Sequence, residues 1–204
     1  VSVYSWPDLQ VRSVASCSAT NLHDVAFAPN GQSLAVAGGE PAEEGAIDIL
    51  SWPGLERLST IRGHSDSIAD VCWVDEKTIA SAGLDNQIRL WNVATGESLR
   101  VLNGHSKGVK AIAVIPDKGL LVSAGIDQSL RVWNLESGEL IRSLAIHLKP
   151  IGKIVVRPKH EGLPMIASAS DDRTIRLWQP TIGRMVRFAR LPSRARDVEW
   201  THDG

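Results

Sequence analysis

A four-residue pattern ending in tryptophan recurs three times in this chain of 204 residues, and it constrains the fold more than any other feature. The pattern is an apolar residue, arginine, an apolar residue and then Trp91, Trp133 or Trp178. An aspartate lies six residues before each tryptophan, and a serine lies four residues before each aspartate. The tryptophans are 42 and 45 residues apart. A period of this length predicts a fold assembled from similar small units.

The register extends toward the N-terminus through two weaker copies. Leu50 and Tyr4 stand in the tryptophan position, with spacings of 46 residues from Tyr4 to Leu50 and 41 residues from Leu50 to Trp91. The chain contains seven tryptophans but only one tyrosine and two phenylalanines. This unusual aromatic composition indicates that tryptophan serves a repeated structural position.

Each period contains about four short apolar runs separated by turn residues, and no window shows sustained helical periodicity. In one period we predict strands over 68–74, 78–82, 87–91 and 98–102. A twisted antiparallel sheet of this size has two apolar faces that it cannot bury alone. Stacking such sheets radially covers both faces, so we predict an all-β fold, a β-propeller built from four-stranded antiparallel blades.

The dipeptides at the period boundaries resemble those of a known family. Gly63-His64 and Gly104-His105, together with Trp91-Asn92 and Trp133-Asn134, resemble the Gly-His and Trp-Asp dipeptides of the WD-repeat family, whose blades have a similar length. The resemblance covers essentially the whole chain and is most specific between residues 65 and 178. The Trp-Pro pairs and the acidic insertion near residue 40 look more like bacterial than eukaryotic repeats.

The resemblance implies a hydrogen-bonded set of four side chains in each regular blade. The three sets are His64, Ser81, Asp85 and Trp91; His105, Ser123, Asp127 and Trp133; and His147, Ser168, Asp172 and Trp178. Histidine, serine and aspartate also form catalytic triads, but an enzyme needs one such set and this chain has three nearly identical copies. We therefore expect these residues to be structural.

The neighbouring periods depart from this pattern. In the period before His64, Ser18 stands in the histidine position and Val36, Glu40 and Leu50 stand in the serine, aspartate and tryptophan positions. We expect this blade to lack the polar set and to depend on apolar packing alone. Pro192 replaces the histidine of the last period, so that blade is also expected to be irregular.

The blade boundaries follow from the same register. We predict one WD-repeat propeller segment over 1–204, with a partial blade at 1–18, an irregular blade at 19–63, regular blades at 64–104, 105–146 and 147–191, and the start of a further blade at 192–204 whose first strand covers 195–200. About four complete blades with partial blades at both ends would expose sheet faces and edges. We expect them to belong to a seven-bladed ring, or alternatively two copies to pair and complete a ring.

The resemblance also implies which residues meet a partner on the face that carries the Gly-His loops. They flank the apolar residue that opens each inner strand or precede the aspartate of a polar set: His23, Ser67, Leu84, Lys110, Ile126, Asp171, Arg194 and Arg196. Leu84 and Ile126 would form an apolar centre with a basic rim, as is typical of protein interfaces. The acidic insertion 41–45 is either a contact for a basic partner or a solvated loop, and the insertion 158–164 is predicted to be a loop.

Composition and missing motifs limit the other function classes. The formal net charge of −1 argues against a nucleic-acid partner, and no apolar run is long enough for a membrane span. The chain has no phosphate-binding loop, haem-attachment or zinc-protease motif, and its two cysteines lack metal-ligand spacing, so no cofactor or metal is expected.

We predict a non-catalytic scaffold for other proteins or peptides, with self-association if the ring is incomplete. The alternative is a regulatory or stabilising module of a larger, possibly enzymatic, protein. Localisation stays open, with the cytoplasm favoured.

Overall fold

The computed structural model describes residues 1–158 and 162–201, and its regular structure is almost entirely β, which confirms the predicted fold class. Eighteen strands form four four-stranded antiparallel sheets and one two-stranded sheet. The two-stranded sheet contains β1 (Ser2–Tyr4) and β2 (Val11–Val14). The first four-stranded sheet contains β3 (Leu22–Phe27), β4 (Ser33–Gly38), β5 (Gly45–Ser51) and β6 (Arg57–His64).

The other three sheets repeat the same strand order along the chain. The second contains β7 (Ile68–Trp73), β8 (Thr78–Gly83), β9 (Gln87–Asn92) and β10 (Ser98–Asn103). The third contains β11 (Val109–Ile115), β12 (Leu120–Gly125), β13 (Leu130–Asn134) and β14 (Leu140–Leu144). The fourth contains β15 (Ile151–Val156), β16 (Ile166–Ser170), β17 (Thr174–Gln179) and β18 (Arg184–Arg190). The four strands predicted in the second sheet differ from these bounds by one residue at one end.

Burial follows the strand position within each sheet. The second strands β4, β8, β12 and β16 are buried along nearly their whole length, whereas β10, β14 and β18 are mostly exposed. The buried strands are rich in alanine, serine and glycine between larger apolar residues. Small side chains on both faces of a central strand allow other elements to approach it closely, which explains why these runs lack the period-two polarity of half-exposed strands.

The chain divides into two compact units, residues 1–83 with 89–100, and residues 84–88 with 101–201. In the first unit, Ile47, Ile61, Ile68, Ile79 and Trp91 belong to one buried cluster. A second cluster contains Leu34, Val36, Leu50 and Leu55, against which residues of the β1–β2 segment pack. The main core of the second unit includes Val122, Leu130, Val132, Ile151, Ile154, Ile166 and Trp178.

The predicted first strand over 195–200 is wrong, because residues 192–201 contain no strand. The segment still contacts the fourth sheet, since the backbone N–H of Ala195 donates to the Ser170 carbonyl at 3.2 Å and the Trp200 indole N–H donates to the Val155 carbonyl at 3.4 Å. A strand needs a row of backbone partners, and these isolated bonds do not supply one. The predicted loop over 158–164 lies partly outside the described residues, as does the C-terminal end of the last predicted blade.

Candidate functional site

The polar set of the third sheet forms a closed hydrogen-bond network. His105 Nδ1 lies 2.9 Å from Asp127 Oδ2, and His105 Nε2 lies 2.7 Å from Ser123 Oγ. The indole N–H of Trp133 donates to Ser123 Oγ at 2.8 Å. Because an ionised carboxylate only accepts, Nδ1 carries the histidine proton and Nε2 accepts from the serine hydroxyl. Ser123 therefore uses its oxygen and its proton, and all four side chains act as one network.

The fourth sheet repeats this geometry. His147 Nδ1 lies 2.8 Å from Asp172 Oδ2 and His147 Nε2 lies 2.8 Å from Ser168 Oγ, while the Trp178 indole N–H donates to Ser168 Oγ at 2.9 Å. The Thr174 hydroxyl adds a bond of 2.6 Å to Asp172 Oδ1. The carboxylate thus connects the histidine to the β16–β17 turn.

In the second sheet, the structure places the same residue types on the matching elements. Ser81 Oγ lies 2.7 Å from His64 Nε2 and accepts from the Trp91 indole N–H at 2.7 Å. Asp85 Oδ1 accepts from the backbone N–H of Gln87 at 3.1 Å, as Asp127 and Asp172 do within their own turns.

The glycine of each Gly-His dipeptide is explained by the tryptophan that packs on it. A Cβ on Gly104 would lie 2.9 Å from Trp133 Cη2, and one on Gly63 would lie 3.0 Å from Trp91 Cη2. Gly63 also has a φ of +138°, which side chains other than glycine rarely adopt. Close packing of the indole therefore requires glycine before the histidine.

Burial and hydrogen bonding set the charge states of these networks. Burial opposes ionisation of Asp127 and Asp172, but hydrogen bonds from His105 and Ser129 to Asp127, and from Thr174 and His147 to Asp172, hold the pKa of both carboxyls well below the usual value. Burial lowers the pKa of His147, although Asp172 opposes this shift. For His147 and Asp172, these directions agree with a neutral imidazole that donates from Nδ1 to an ionised carboxylate.

The networks are closed to substrates. The side chains of His105 and His147 have no exposed surface, and those of Asp127 and Asp172 are only 4% exposed. A general base must come within hydrogen-bond reach of a substrate proton. These groups instead join the Gly-His loop to the strand and turn of the same sheet, which is an architectural arrangement.

The first four-stranded sheet contains a polar network that the sequence analysis did not predict. Asp48, 1% exposed, accepts hydrogen bonds from the backbone N–H of Ser18, from the Ser18 hydroxyl at 2.8 Å and from the Thr60 hydroxyl at 2.6 Å. Arg57 Nε lies 3.7 Å from the same carboxylate. The expectation that this sheet depends on apolar packing alone is therefore wrong. Asp48 occupies the position of the arginine in the repeated four-residue pattern, and this exchange was the available sequence signal.

The predicted partner residues of the second unit include a partly exposed apolar cluster. A Cβ on Gly108 would lie 3.0 Å from Leu84 Cδ2 and 3.3 Å from Ile126 Cδ1, so these side chains meet over the glycine. Leu84 and Ile126 are half-buried, and Lys110 near the start of β11 is exposed. In this part of the predicted face, the apolar side chains of Leu84 and Ile126 thus lie close to the start of β11, which carries the exposed Lys110.

The remaining predicted residues of the second unit lie at the end of the fourth sheet. Arg194 and Arg196 are exposed on either side of the buried Ala195, and Asp171 is half-buried. Arg194 Nη1 lies 3.9 Å from Asp171 Oδ2, a long contact between exposed groups that contributes little to stability. Two predicted contact residues thus pair with each other.

Of the two predicted partner residues in the first unit, one is exposed and the other is buried. His23 is exposed, and its Nε2 lies 3.2 Å from the Gly39 carbonyl. Ser67 was predicted to be on the partner face, but it is 1% exposed and its hydroxyl donates to the same carbonyl at 3.1 Å. That prediction is wrong, because the serine satisfies a buried carbonyl and has almost no surface to offer.

The acidic insertion is partly occupied by intramolecular contacts. Glu44 Oε2 lies 3.5 Å from Arg62 Nη1, and Glu40 Oε1 accepts from the Thr20 hydroxyl at 3.0 Å. The backbone N–H of Ala42 donates to Asp66 Oδ1 at 2.9 Å. These contacts favour an ordered turn over a loop held open for a basic partner.

Neither a metal-ligand cluster nor a membrane-spanning helix occurs in residues 1–158 and 162–201. No group of three or more histidine, cysteine, aspartate or glutamate side chains in that part of the chain could hold a metal ion. None of its helices is long and apolar enough to cross a membrane.

Comparison with protein-family models identifies the repeat. The model described as WD domain, G-beta repeat matches residues 55–92, 96–134 and 138–179, together more than half of the chain. These segments contain the tryptophan and preceding aspartate of all three polar sets.

Similar curated proteins extend the comparison. Protein hir1 of Emericella nidulans is 30% identical over 123 residues, 52% of this chain and 12% of that protein. A subunit of chromatin assembly factor 1 from Gallus gallus is 29% identical over 114 residues, 45% of this chain and 19% of that protein. Nuclear distribution protein nudF of Aspergillus flavus is 30% identical over 121 residues, 57% of this chain and 26% of that protein. The chain spans about a quarter or less of these relatives.

Proposed function

This chain belongs to the WD-repeat family, and from that premise we propose that it is a non-catalytic protein-binding scaffold. Its partners dock on the surface around Leu84, Ile126 and Lys110, which we call the partner face. Arg194 and Arg196, which come from the last segment of the chain, extend the basic part of this face. The WD-repeat fold supplies the frame, and the partner face supplies the contacts.

The single observation that carries this proposal is the cluster over Gly108. Leu84 and Ile126 pack so closely over Gly108 that a Cβ there would lie 3.0 and 3.3 Å from their terminal methyl carbons, which restricts how these side chains can move. No ion pair of Lys110 exists among the described residues, so its ammonium is available to a partner carboxylate. A rigid apolar patch beside an unpaired cation suits a peptide with an apolar residue next to an acidic one.

The names of the relatives support a protein partner. The relative from Gallus gallus is by its name one component of an assembly factor, and its similarity to this chain includes the repeats. We infer that this chain also acts within a protein assembly, and proteins of chromatin assembly are the first class of partner to test. The closed polar networks of the third and fourth sheets support a scaffold over an enzyme.

A second candidate is a regulatory or stabilising module of a larger protein. The length of the relatives favours it, since this chain matches only 12% of hir1 and 19% of the chromatin assembly factor component. In that case the partner face binds a neighbouring domain. The affinity of selected peptides for variants of the partner face tests this surface under both candidate functions.

The test is selection of peptides on the immobilised chain from a random display library, followed by affinity measurement on charge-reversal variants. Lys110→Glu changes the partner face at the start of β11. Lys118→Glu changes another exposed lysine, just beyond the other end of that strand, and is the matched control. We expect Lys110→Glu and Ile126→Ser each to weaken the enriched peptides at least tenfold, with Lys118→Glu within twofold of wild type. Equal affinity for all variants would refute the proposed face.

A further inference from the structure

The outer strand of the fourth sheet is unusually basic. Residues 173–196 contain seven arginines and no aspartate or glutamate, although the whole chain has a net charge of −1. Three of these arginines, Arg184, Arg187 and Arg190, lie on β18, whereas β10 and β14 have one arginine each. The two arginines of β6 both have acidic partners, Asp48 and Glu44.

The arginines of β18 have no such partners. All three are exposed, and none has an ion pair within the residues that the structure describes. Val186 and Phe188 between them are 41% and 57% exposed. β18 therefore presents unneutralised cations interleaved with apolar side chains.

The strand register distributes these groups over both faces of the sheet. Arg187 pairs with Leu177 and Arg184 pairs with Gln179, and an irregularity at Val186 keeps both arginines on one face. Arg190 and Phe188 pair with Thr174 and Arg176 on the opposite face. Side chains of directly paired residues share a face, so the edge carries positive charge on both sides.

The backbone of β18 is also available. β18 is the last strand in the order of its sheet, so one edge has no neighbouring strand to take its N–H and carbonyl groups. Charged side chains on such an edge oppose pairing with a strand of like charge. The same charges attract a strand that carries carboxylates opposite the arginines.

We propose that the outer edge of β18 binds an extended acidic peptide segment, which adds to the sheet as a fifth strand. The backbone edge supplies main-chain hydrogen bonds, the arginines pair with carboxylates, and Val186 and Phe188 contact apolar residues between them. Arg190 and Phe188 are neighbours on one face of the sheet and Arg187 lies on the other, so a segment in which acidic and apolar residues alternate along each face matches β18. This site is independent of the partner face, which contains no residue of β18.

A protein segment fits this edge better than a nucleic acid. A phosphate backbone would use the arginines but leave the unpaired strand edge without partners. The apolar groups between the arginines favour a ligand with side chains of alternating character.

The probe is a fluorescein-labelled eight-residue peptide of two Glu-Glu-Val-Val repeats, which carries carboxylates on both faces of a strand, measured by fluorescence anisotropy on the full chain. Three comparison ligands separate the contributions: the same peptide with lysine for glutamate, the peptide N-methylated at alternate amides, and an eight-nucleotide oligothymidylate. The double variant Arg187→Glu/Arg190→Glu reverses charge on both faces of the edge, and Arg187→Gln/Arg190→Gln removes it. Lys77→Glu/Lys118→Glu makes the same total charge change at exposed turns of other sheets.

We expect the glutamate–valine peptide to bind wild type, to lose at least tenfold in affinity on arginine reversal and to lose less on neutralisation. The lysine control should stay within twofold, and the lysine peptide and the N-methylated peptide should not bind. Unchanged affinity after arginine reversal, or equal binding of the N-methylated peptide, would overturn strand addition. Tighter binding of oligothymidylate would assign the edge to nucleic acid instead. Dimerisation in sedimentation velocity that arginine reversal abolishes would assign it to a second copy. Thermal melting of each variant verifies folding.

Discussion

Replacing Ser123 with alanine tests the structural role of the polar networks most sharply. The serine has no exposed surface, and its oxygen accepts from Trp133 while its proton goes to His105. The substitution fills the site with a slightly smaller apolar residue and leaves the backbone of β12 unchanged. It therefore removes one oxygen atom and two hydrogen bonds.

The expected cost follows from the groups left without partners. The Trp133 indole N–H and His105 Nε2 are both buried and would lose their only side-chain partner at these atoms. Each orphaned buried group costs about 1–3 kcal/mol, so the two groups together should lower the free energy of unfolding of Ser123→Ala by roughly 2–6 kcal/mol. That loss is large beside the total of about 5–15 kcal/mol typical of folded domains. The melting temperature should fall by about 5–20 °C for a chain of this length.

The assay is chemical denaturation followed by tryptophan fluorescence, with Ser98→Ala on the exposed strand β10 as the control. Ser81→Ala and Ser168→Ala remove the equivalent oxygen in the other regular sheets and should destabilise by similar amounts. The control should differ from wild type by less than about 0.5 kcal/mol, as surface substitutions usually do. If Ser123→Ala is as stable as the control, the reasoning from buried hydrogen bonds is refuted.

Three further predictions concern the carboxylates. Asp127→Ala should lower stability by about 1–3 kcal/mol in urea denaturation, because it orphans His105 Nδ1, and an unchanged midpoint would count against this. Acid should destabilise the chain in two ranges. The pKa of His147 is lowered in the folded state, so the free energy of unfolding should decline below about pH 6.5, where the histidine of the unfolded chain takes up a proton. The pKa values of Asp127 and Asp172 are also lowered in the folded state, so a steeper loss of stability should follow below about pH 4. A melting temperature that stays constant from pH 7.5 to 3.5 would contradict both predicted losses of stability in acid. Asp48→Ala should cost about 1–3 kcal/mol and speed proteolysis near Ser18, whereas unchanged cleavage would show that the carboxylate does not hold that segment.

The repeated parts of the fold could be predicted because each copy supports the others. The apolar runs and turn residues of one period located the strands β7–β10 to within one residue at each end. The family resemblance implied sets of side chains that the structure brings into hydrogen-bond contact in the third and fourth sheets. Repetition separates a structural pattern from chance, which a single motif cannot do.

The non-repeated parts were harder to predict. Ser67 has the repeat position of a surface residue, but it is buried and its hydroxyl donates to the carbonyl of Gly39, 28 residues away in sequence. Asp48 was not singled out in the sequence, because its partners Ser18 and Thr60 are 30 and 12 residues away. Burial and long-range hydrogen bonding depend on tertiary packing, which sequence spacing does not encode.

The structure explains a second short repeat, the sequence Ser-Trp-Pro, which occurs twice in the chain. Ser5-Trp6-Pro7 and Ser51-Trp52-Pro53 begin the same type of turn, in which the N–H of Leu9 or Leu55 donates to the carbonyl of Ser5 or Ser51 at 2.9 Å. Trp52 packs edge-on against Phe27 with ring centroids 5.0 Å apart, whereas Trp6 is 85% exposed. The repeat thus specifies a turn, and the tryptophan contact varies with its surroundings.

The central claim is that the polar networks build the frame while the partner face binds. One measurement tests both halves: the affinity of a display-selected peptide for Ser123→Ala and for Lys110→Glu, taken well below the melting temperature of each variant. We predict that Ser123→Ala binds within twofold of wild type despite its lower stability, and that Lys110→Glu binds at least tenfold more weakly with unchanged stability. Loss of binding in Ser123→Ala together with retained binding in Lys110→Glu would contradict the account.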